Sequence, residues 1–367
     1  MLISLLISVG IISAVAVFLS LLMVIADATI GNYGNVKINI NDSTKELTVP
    51  GGQPLLRVLT DEGIFIPSAC GGRGSCGLCK VKVLDGGGQI LPTELPWLSE
   101  EEKKENIRLS CQFKVKNDLS IQIPEELFLV KQYKSVVESI RDLTHDIKEI
   151  RLKLLEPPEI TAKAGQFIQF QVPTYELTDE PVYRAYSMAS VPSDNSHIEL
   201  EIRLVPNGIC TTYVHKYLKE GDEVLLNGPY GEFYLRDTDH DIIYIAGGSG
   251  MAPIKSILLD MQEKKSKRKA TYFFGARSAK DLFLINEMKK IETNLESFTF
   301  VPALSEPEEA DNWTGDVGLI TSIVAQKVKD GSNSEAYLCG SPGMIDACIT
   351  VLKDCGVPEE RIYFDKF

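Results

Sequence analysis

The chain has 367 residues, enough for two or three domains, and its 44% hydrophobic and 24% charged residues are ordinary values for globular domains with buried cores. Its formal net charge of −13 argues against nucleic acid as a main partner, because phosphate backbones are bound by basic surfaces. The charge does not exclude a membrane, since insertion of an apolar helix does not depend on net charge.

The first 26 residues contain no Asp, Glu, Lys, Arg, His, Asn or Gln. About 20 apolar residues cross a bilayer core as a helix, so we predict a transmembrane anchor over residues 1–30. The alternative is a cleaved signal peptide with a cleavage site near Ala26-Asp27-Ala28, but the apolar core is longer than a signal usually has and no basic residue precedes it. Because Lys37 and Lys45 follow the span, we expect a single pass with the domains on the cytoplasmic side of the cell (inner) membrane.

Three further regions follow. Residues 34–128 contain alternating apolar segments typical of strands, and residues 130–235 contain more of them, separated by turn residues, as in an antiparallel barrel. In residues 237–367, short apolar runs alternate with helix-like stretches such as 253–264, which predicts a parallel sheet with flanking helices.

Four cysteines carry the strongest local signal: Cys70, Cys76, Cys79 and Cys111 follow the spacing C-x5-C-x2-C-x31-C. Four thiolates in such a pattern are the ligand set of a [2Fe–2S] cluster. Glycines surround the first three because a loop around a cluster must aim backbone N–H groups at the sulfurs. A structural zinc ion is the alternative, although zinc sites usually combine two close C-x2-C pairs.

The segment Arg184-Ala-Tyr186-Ser187 resembles the R-x-Y-S motif of the ferredoxin–NADP reductase superfamily. The resemblance implies that Arg184 pairs with the pyrophosphate of FAD, that Tyr186 lies on the isoalloxazine and that Ser187 faces flavin N5. Taken alone, these four positions also fit an ordinary barrel strand with one exposed arginine.

A second flavin motif follows at Gly208-Ile-Cys-Thr211-Thr212, which is similar to the G-x-x-S/T segment of the same superfamily. There, this segment begins a helix whose N-terminal amides and hydroxyls hold phosphate, which implies FAD contacts for Gly208, Thr211 and Thr212.

A strand-like run at 241–246 leads into a glycine turn and a helix. Such a turn suits a pyrophosphate, and it resembles the G-G-x-G-x-x-P loop of the superfamily, which implies nucleotide contacts for Gly247, Gly248, Gly250 and Pro253. The alternative is a tight turn without a ligand.

Two later segments resemble nucleotide-binding motifs of the same superfamily. The resemblance places Gly275, Arg277 and Gly340 beside the nucleotide and Cys339 against the nicotinamide C4 region, where it helps to align hydride transfer; a buried apolar thiol is the alternative for Cys339. The acidic loop 305–309 would repel a 2′-phosphate, which favours NADH over NADPH.

The chain ends in Tyr363-Phe-Asp365-Lys-Phe367. Superfamily members often end with an aromatic residue over the flavin, which implies Phe367 as a third catalytic candidate beside Ser187 and Cys339, and Asp365 as a weaker one; a core aromatic is the alternative for Phe367. We expect Cys348 and Cys355, on a predicted helix, to be core residues.

The order of these regions resembles that in the F subunits of sodium-translocating NADH:quinone reductases, with similar stretches at 69–79, 90–95, 184–189, 228–233 and 250–253. We therefore expect a multidomain fold with one N-terminal transmembrane helix (1–30), an α+β ferredoxin-like (β-grasp) domain (34–128), an antiparallel β-barrel FAD domain (130–235) and an α/β parallel-sheet NAD domain (237–367). The resemblance implies a membrane-anchored NADH dehydrogenase subunit of a respiratory complex. Hydride passes from NADH to FAD, and single electrons pass through a [2Fe–2S] cluster to a membrane redox partner and ultimately to quinone.

Two other functions remain open. The family usually carries extra segments before both flavin motifs, which this chain and some soluble oxygenase reductases lack; a reductase that delivers electrons to an oxygenase or another soluble acceptor would work without residues 1–30. A non-catalytic assembly subunit would show no bleaching of bound flavin by NADH.

Overall fold

A single long helix, α1 (Leu2–Ile30), occupies the predicted anchor. The computed structural model describes residues 2–30 and 33–366, and side chains for 7–24 and 33–366. Within α1, Ile7–Val24 has a mean hydropathy of 2.6 and is fully exposed, which distinguishes it from a buried core helix but not from a signal sequence. Its length and composition are sufficient to cross a bilayer core.

The chain divides into two compact units, residues 1–129 and 130–367. In the first, a five-stranded mixed sheet in the order β2-β1-β5-β3-β4 has β1 and β5 parallel and its other neighbours antiparallel. Its elements are β1 (Asn35–Ile40), β2 (Lys45–Pro50), α2 (Leu55–Asp61), β3 (Lys80–Asp85), α3 (Glu100–Lys104), β4 (Ile107–Leu109) and β5 (Leu119–Gln122). Alternate residues of β1 and β3 enter one core with Leu55 and Leu59 of α2, as the predicted α+β class requires.

The second unit begins with six antiparallel strands in the order β10-β7-β6-β11-β8-β9. They are β6 (Lys131–Asp142), β7 (Ile147–Glu156), β8 (Phe167–Val172), β9 (Val182–Ser187), β10 (His197–Arg203) and β11 (Glu223–Tyr230), with helix α4 (Ile209–Lys216) between the last two. A bridge from Met188 to Leu200 joins the edges of the sheet. Since every second residue of β7, β8 and β10 fills one apolar core, the predicted antiparallel barrel agrees with the structure.

The rest of the second unit is a parallel six-stranded sheet in the order β15-β14-β13-β12-β16-β17. Its elements are β12 (Asp241–Gly247), α5 (Met251–Glu263), β13 (Ala270–Ala276), α6 (Ile285–Asn294), β14 (Phe298–Leu304), β15 (Asp316–Val317), α7 (Ile320–Lys327), β16 (Ser334–Gly340), α8 (Pro342–Asp354) and β17 (Ile362–Lys366). Apolar clusters cover both faces, as expected when parallel strands are connected by helices.

The predictions for the last two cysteines have different outcomes. Cys348 is fully buried within α8, which confirms it as a core residue. Cys355 forms the C-cap of α8 and is only half-buried, because the helix ends at that point; its assignment to the core is corrected accordingly. Phe367 lies outside the described residues.

Candidate functional site

The four cysteines of the first unit lie in two pairs. The Sγ atoms of Cys70 and Cys76 are 3.5 Å apart, and the thiol of Cys79 forms a hydrogen bond with the sulfur of Cys111. Donation by its partner's thiol lowers the pKa of Cys70 to about 4 and that of Cys111 to about 7, while the pKa values of the donors Cys76 and Cys79 are raised. Each pair therefore readily supplies a thiolate, which is the form that binds metals.

The arrangement of the thiols in two pairs bears on the choice between a [2Fe–2S] cluster and a single zinc ion. Among the residues that the structure describes, no three His, Cys, Asp or Glu side chains converge on one metal position. A mononuclear zinc site needs four ligands around one ion, whereas a binuclear cluster takes two protein ligands on each iron. Two thiol pairs match the two protein ligands that each iron of a [2Fe–2S] cluster takes, and the assignment of the four cysteines as its ligands stays a prediction.

The loop that carries Cys76 and Cys79 depends on Gly77. Its φ of +69° lies in the left-handed region, and a Cβ there would stand 2.9 Å from the ring of Trp97. Gln112 adds a hydrogen bond from Nε2 to the sulfur of Cys111 at 3.3 Å. Trp97 and Gln112 thus complete the surroundings of the thiols, although neither belongs to the cysteine motif.

The predicted flavin residues of the R-x-Y-S motif all lie on β9. Arg184 and Tyr186 pair with Phe170 and Ile168 of β8, and Ser187 ends the strand. Residues 184–187 are each half-buried, so part of each side chain reaches the surface of the barrel. Desolvation and the neighbouring Cys210 raise the pKa of Tyr186 well above its usual value, so its hydroxyl stays protonated.

The second flavin motif forms the start of α4, with Gly208 as its N-cap. The Thr211 hydroxyl accepts from the Val205 amide at 3.1 Å and lies 3.2 Å from the Val205 carbonyl, so it fixes the turn before the helix. Thr212 lies in the same first turn and is 6% exposed. The backbone amides of this turn remain the natural partners of a phosphate, while the side chain of Thr211 is already engaged.

The glycine loop between β12 and α5 lies against the end of β16. A Cβ on Gly250 would stand 2.1 Å from the carbonyl oxygen of Cys339, so only glycine fits there. Gly247 pairs with Gly275 of β13, and Gly340 follows Cys339, the partner of Ala246. The carboxyl ends of three neighbouring strands therefore present backbone without side chains, an edge at which open α/β sheets bind ligands.

Pro253 is buried in the first turn of α5, and the last two strands bring Cys339 and Asp365 together as register partners. The Cys339 side chain is fully buried, and desolvation raises its pKa well above the usual value. Burial also raises the pKa of Asp365 to about 6. Full burial of the thiol agrees with the alternative of a core cysteine as well, so its place beside the nicotinamide stays a prediction.

Arg277 follows β13 and is 75% exposed, with its Nε 2.8 Å from Oε2 of Glu306. This carboxylate belongs to the acidic loop 305–309, and the Glu306 amide also donates to the carbonyl of residue 277. The one cation predicted beside the ribose is therefore already paired with an acid, which favours a nucleotide without a 2′-phosphate.

Two residues that lie beside the glycine loop belong to none of the sequence motifs. The Arg203 guanidinium at the end of β10 is 3.4 Å from where a Cβ on Gly248 would stand, and its Nε donates to Asp146 at 2.7 Å. The sulfur of Met344 lies under Gly247. The alternation along β10 is sufficient to place Arg203 on the outside of the barrel, but its contact with Gly248 was not predictable from the sequence.

Three family models match the chain in the order of its domains. A 2Fe-2S iron-sulfur cluster binding domain matches residues 38–116, an oxidoreductase FAD-binding domain 134–234, and an oxidoreductase NAD-binding domain 244–349. The cysteine loop, the β9 strand with α4, and the glycine loop fall in the first, second and third match respectively.

Two curated relatives are similar over almost the whole chain. The F subunit of the Na(+)-translocating NADH-quinone reductase of Serratia proteamaculans (strain 568) is 38% identical over 400 residues, covering 98% of each chain. The protein of the same name from Neisseria meningitidis (strain FAM18) is 38% identical over 395 residues, covering 97% of each. Both alignments are longer than this chain's 367 residues, so these relatives carry segments that it lacks.

Two solved structures share the fold of most of the chain. The Amycolatopsis cytochrome P450 reductase GcoB has a TM-score of 0.72 at 27% identity and covers 90% of this chain and 98% of its own. A ferredoxin reductase in carbazole 1,9a-dioxygenase has a TM-score of 0.69 at 27% identity, with coverage of 91% and 98%.

Proposed function

Since the chain belongs to the family of F subunits of Na(+)-translocating NADH-quinone reductases, we propose that it oxidises NADH and passes single electrons to a redox partner in the membrane, within a sodium-translocating complex whose final acceptor is quinone. It is a flavin- and iron–sulfur-dependent oxidoreductase with FAD-, NAD- and [2Fe–2S]-binding domains. The observation that carries the proposal is the presence in one chain of a nucleotide loop, a flavin strand and two thiol pairs, behind an apolar helix.

A bound flavin supplies the chemistry that couples NADH oxidation to one-electron transfer, because it accepts two electrons as hydride and releases them one at a time. Arg184 would bind the pyrophosphate of FAD through its fork of donors, while the first turn of α4 from Gly208 to Thr212 would offer backbone amides to phosphate. Tyr186, kept protonated, would contact the flavin ring, and Ser187 would offer it a hydroxyl.

The nucleotide loop orients NADH. The amides of Gly247, Gly248 and Gly250 would hold the pyrophosphate at the start of α5, and the missing side chains of Gly275 and Gly340 would let the nucleotide lie close to the strand ends. Cys339 aligns the nicotinamide, and the Arg277–Glu306 pair favours NADH. These residues position the dihydronicotinamide and exclude water, which is the protein's share of a cofactor-borne reaction.

Cys70 with Cys76, and Cys79 with Cys111, would hold the cluster, which would supply one-electron transfer. Cys79 and Cys111 are buried, while Cys70 and Cys76 are partly exposed, so the first pair lies on the side nearer solvent. Electrons leave more easily through the exposed side of a cluster, because tunnelling requires a close approach of the acceptor.

We place the protein in the cell (inner) membrane as a single-pass subunit with its domains in the cytoplasm. The exposed, apolar helix α1 supports this location, and the lysines that follow it, Lys37 and Lys45, support the orientation. A tether of a few residues between helix and domain keeps the thiol loop at high effective concentration near membrane acceptors.

The test is anaerobic mixing of the purified holoprotein with NADH, followed by absorbance of the flavin. Bleaching of the flavin by NADH supports the proposal. A flavin that is bleached by dithionite but not by NADH would contradict it. Copurification from native membranes then tests the complex: recovery with other membrane subunits supports it, and recovery as a lone polypeptide contradicts it.

A reductase of a soluble oxygenase is the second candidate, and the similarity to two oxygenase reductases over about nine-tenths of the chain favours it. Deletion of residues 2–30 separates the two functions. The membrane subunit loses quinone reduction with NADH while its flavin still bleaches, whereas the oxygenase reductase keeps electron delivery to its acceptor.

A further inference from the structure

The outer face of β10 carries charged residues towards the nucleotide half of the second unit. Glu199, Glu201 and Arg203 alternate with the apolar residues that fill the barrel core. Helix α5 packs against this strand, and so does the Gly248–Gly250 turn that precedes the helix. Charged side chains of the barrel therefore face the helix that begins at the nucleotide loop.

Glu201 is the unusual member of this face. It is 3% exposed, and neither of its carboxyl oxygens has a hydrogen-bond partner among the described residues. Removing a carboxylate from water without compensating bonds is unfavourable, so burial raises the pKa of Glu201 to about 8. The group is a neutral acid at neutral pH and becomes a buried anion in mildly alkaline solution.

Lys255, the fifth residue of α5, supplies the nearest cation. Its Nζ is 3.1 Å from Oε2 of Glu199 and 3.4 Å from Oε2 of Glu149, on two strands of the barrel. Although burial lowers it, the pKa of Lys255 is raised to about 12 by Glu201, Glu199 and Glu149. Lys255 is therefore charged at every relevant pH, and it binds the two carboxylates that flank Glu201 rather than Glu201 itself.

The other charged groups around Glu201 already form ion pairs with one another or with their own neighbours. The ionisable groups that influence it or pair with its neighbours come from β6, β7, β10, α6, β13 and β16, and they are Arg141, Glu149, Arg151, Glu199, Glu287, Tyr272 and Cys339. Arg141 bonds to Glu149 and Glu287, and Arg151 bonds to Glu138, Asp194 and Glu199. Arg203, two residues further along the same face of β10, is largely exposed and donates from Nε to Asp146 at 2.7 Å. Lys255 is therefore the buried cation that an ionised Glu201 would attract.

Lys255 lies close to the nucleotide loop along α5. Lys255 follows Met251, the first residue of α5, by four residues, which is about 6 Å along the helix axis. We propose that Glu201 and Lys255 are positioning residues for hydride transfer: with Glu201 neutral, Lys255 holds α5 and its glycine loop against the flavin barrel, and an ionised Glu201 draws Lys255 away and displaces the loop. This inference rests on the proposed function, because it takes the loop as the nicotinamide site.

The test is the pH profile of flavin reduction by saturating NADH, measured anaerobically in the holoprotein by stopped flow. In the wild type, the limiting rate constant should be level below about pH 8 and fall above it, towards tenfold for each pH unit, with little change in the half-saturating NADH concentration. Glu201→Gln, which cannot ionise, should lose this decline. Lys255→Met should lower the rate about tenfold or more at pH 7, and Lys255→Arg should restore most of it. The matched control is Glu223→Gln at the exposed first position of β11, which should keep the wild-type profile.

A second measurement needs no turnover. Hydrogen exchange of the amides in residues 247–256, compared between wild type and Glu201→Gln at the same alkaline pH, should be faster in the wild type. A level wild-type profile, an unchanged decline in Glu201→Gln, a normal rate in Lys255→Met, or equal exchange would each overturn the inference. If NADH bleaches the flavin at a rate that does not change with pH, the proposed function stands and only the positioning role fails. If NADH bleaches the flavin at no pH, the proposed function is contradicted. The hydrogen-exchange comparison then still tests the positioning role.

Discussion

The substitution Gly250→Ala should push apart the glycine loop and the end of β16, which together form the proposed nicotinamide site. A Cβ at this position would stand 2.1 Å from the carbonyl oxygen of Cys339 and 2.6 Å from its carbon. Since Cβ contacts below 3.0 Å essentially do not occur, the end of β16 must move back by about 1 Å. A misplacement of about 1 Å costs a factor of roughly 100 in a rate that depends on alignment, or about 2.7 kcal/mol of activation free energy.

The assay is anaerobic stopped-flow bleaching of the flavin by NADH, with dithionite reduction and iron content as checks that flavin and cluster are intact. Gly343→Ala is the matched control, because a Cβ there, in the first turn of α8, meets nothing within 4 Å. We expect the hydride-transfer rate to fall about 100-fold in Gly250→Ala and to stay at the wild-type level in Gly343→Ala. A wild-type rate in a flavin-replete Gly250→Ala protein would refute the assignment of this loop and strand end to the nicotinamide site.

Three further outcomes are expected. Relative to Glu201→Gln, the wild type should lose about 1.4 kcal/mol of unfolding free energy per pH unit from pH 4.5 to about 8, because the unfolded chain releases this proton and the folded chain retains it; parallel stability curves in urea would contradict this. Glu306→Arg removes the carboxylate beside Arg277 and should raise kcat/KM for NADPH relative to NADH by about tenfold; an unchanged preference would argue against a ribose site there. Gly77→Ala combines an unfavourable φ with a clash against Trp97 and should lower the iron and sulfide content while FAD content is kept; full cluster content would count against the loop geometry.

The sequence was most informative where periodicity or motif spacing is local. The alternation at Ile150–Leu154 and Ile198–Ile202 predicted β7 and β10 of the barrel, and the strand–glycine–helix pattern at 241–264 predicted β12, its turn and α5. These patterns depend on near neighbours in the chain, so they can be recognised without knowing the tertiary structure.

Contacts between distant segments were not predictable in the same way. The occupied hydroxyl of Thr211, the ring of Trp97 on Gly77 and the Arg203–Gly248 contact depend on how elements pack. The buried Glu201 looked like an ordinary outward position of an amphipathic strand. Its burial arises because α5 covers that face of β10, and nothing in the β10 segment itself indicates the helix.

In the proposed function, electrons from NADH reach iron held by the two thiol pairs of this same chain. The most direct measurement is electron paramagnetic resonance of the holoprotein frozen after anaerobic mixing with NADH, with Cys111→Ser beside it. We expect the signal of a reduced binuclear iron–sulfur centre in the wild type and its loss in Cys111→Ser, whose flavin should still be bleached by NADH. A wild-type flavin reduced by NADH without that signal would contradict the claim.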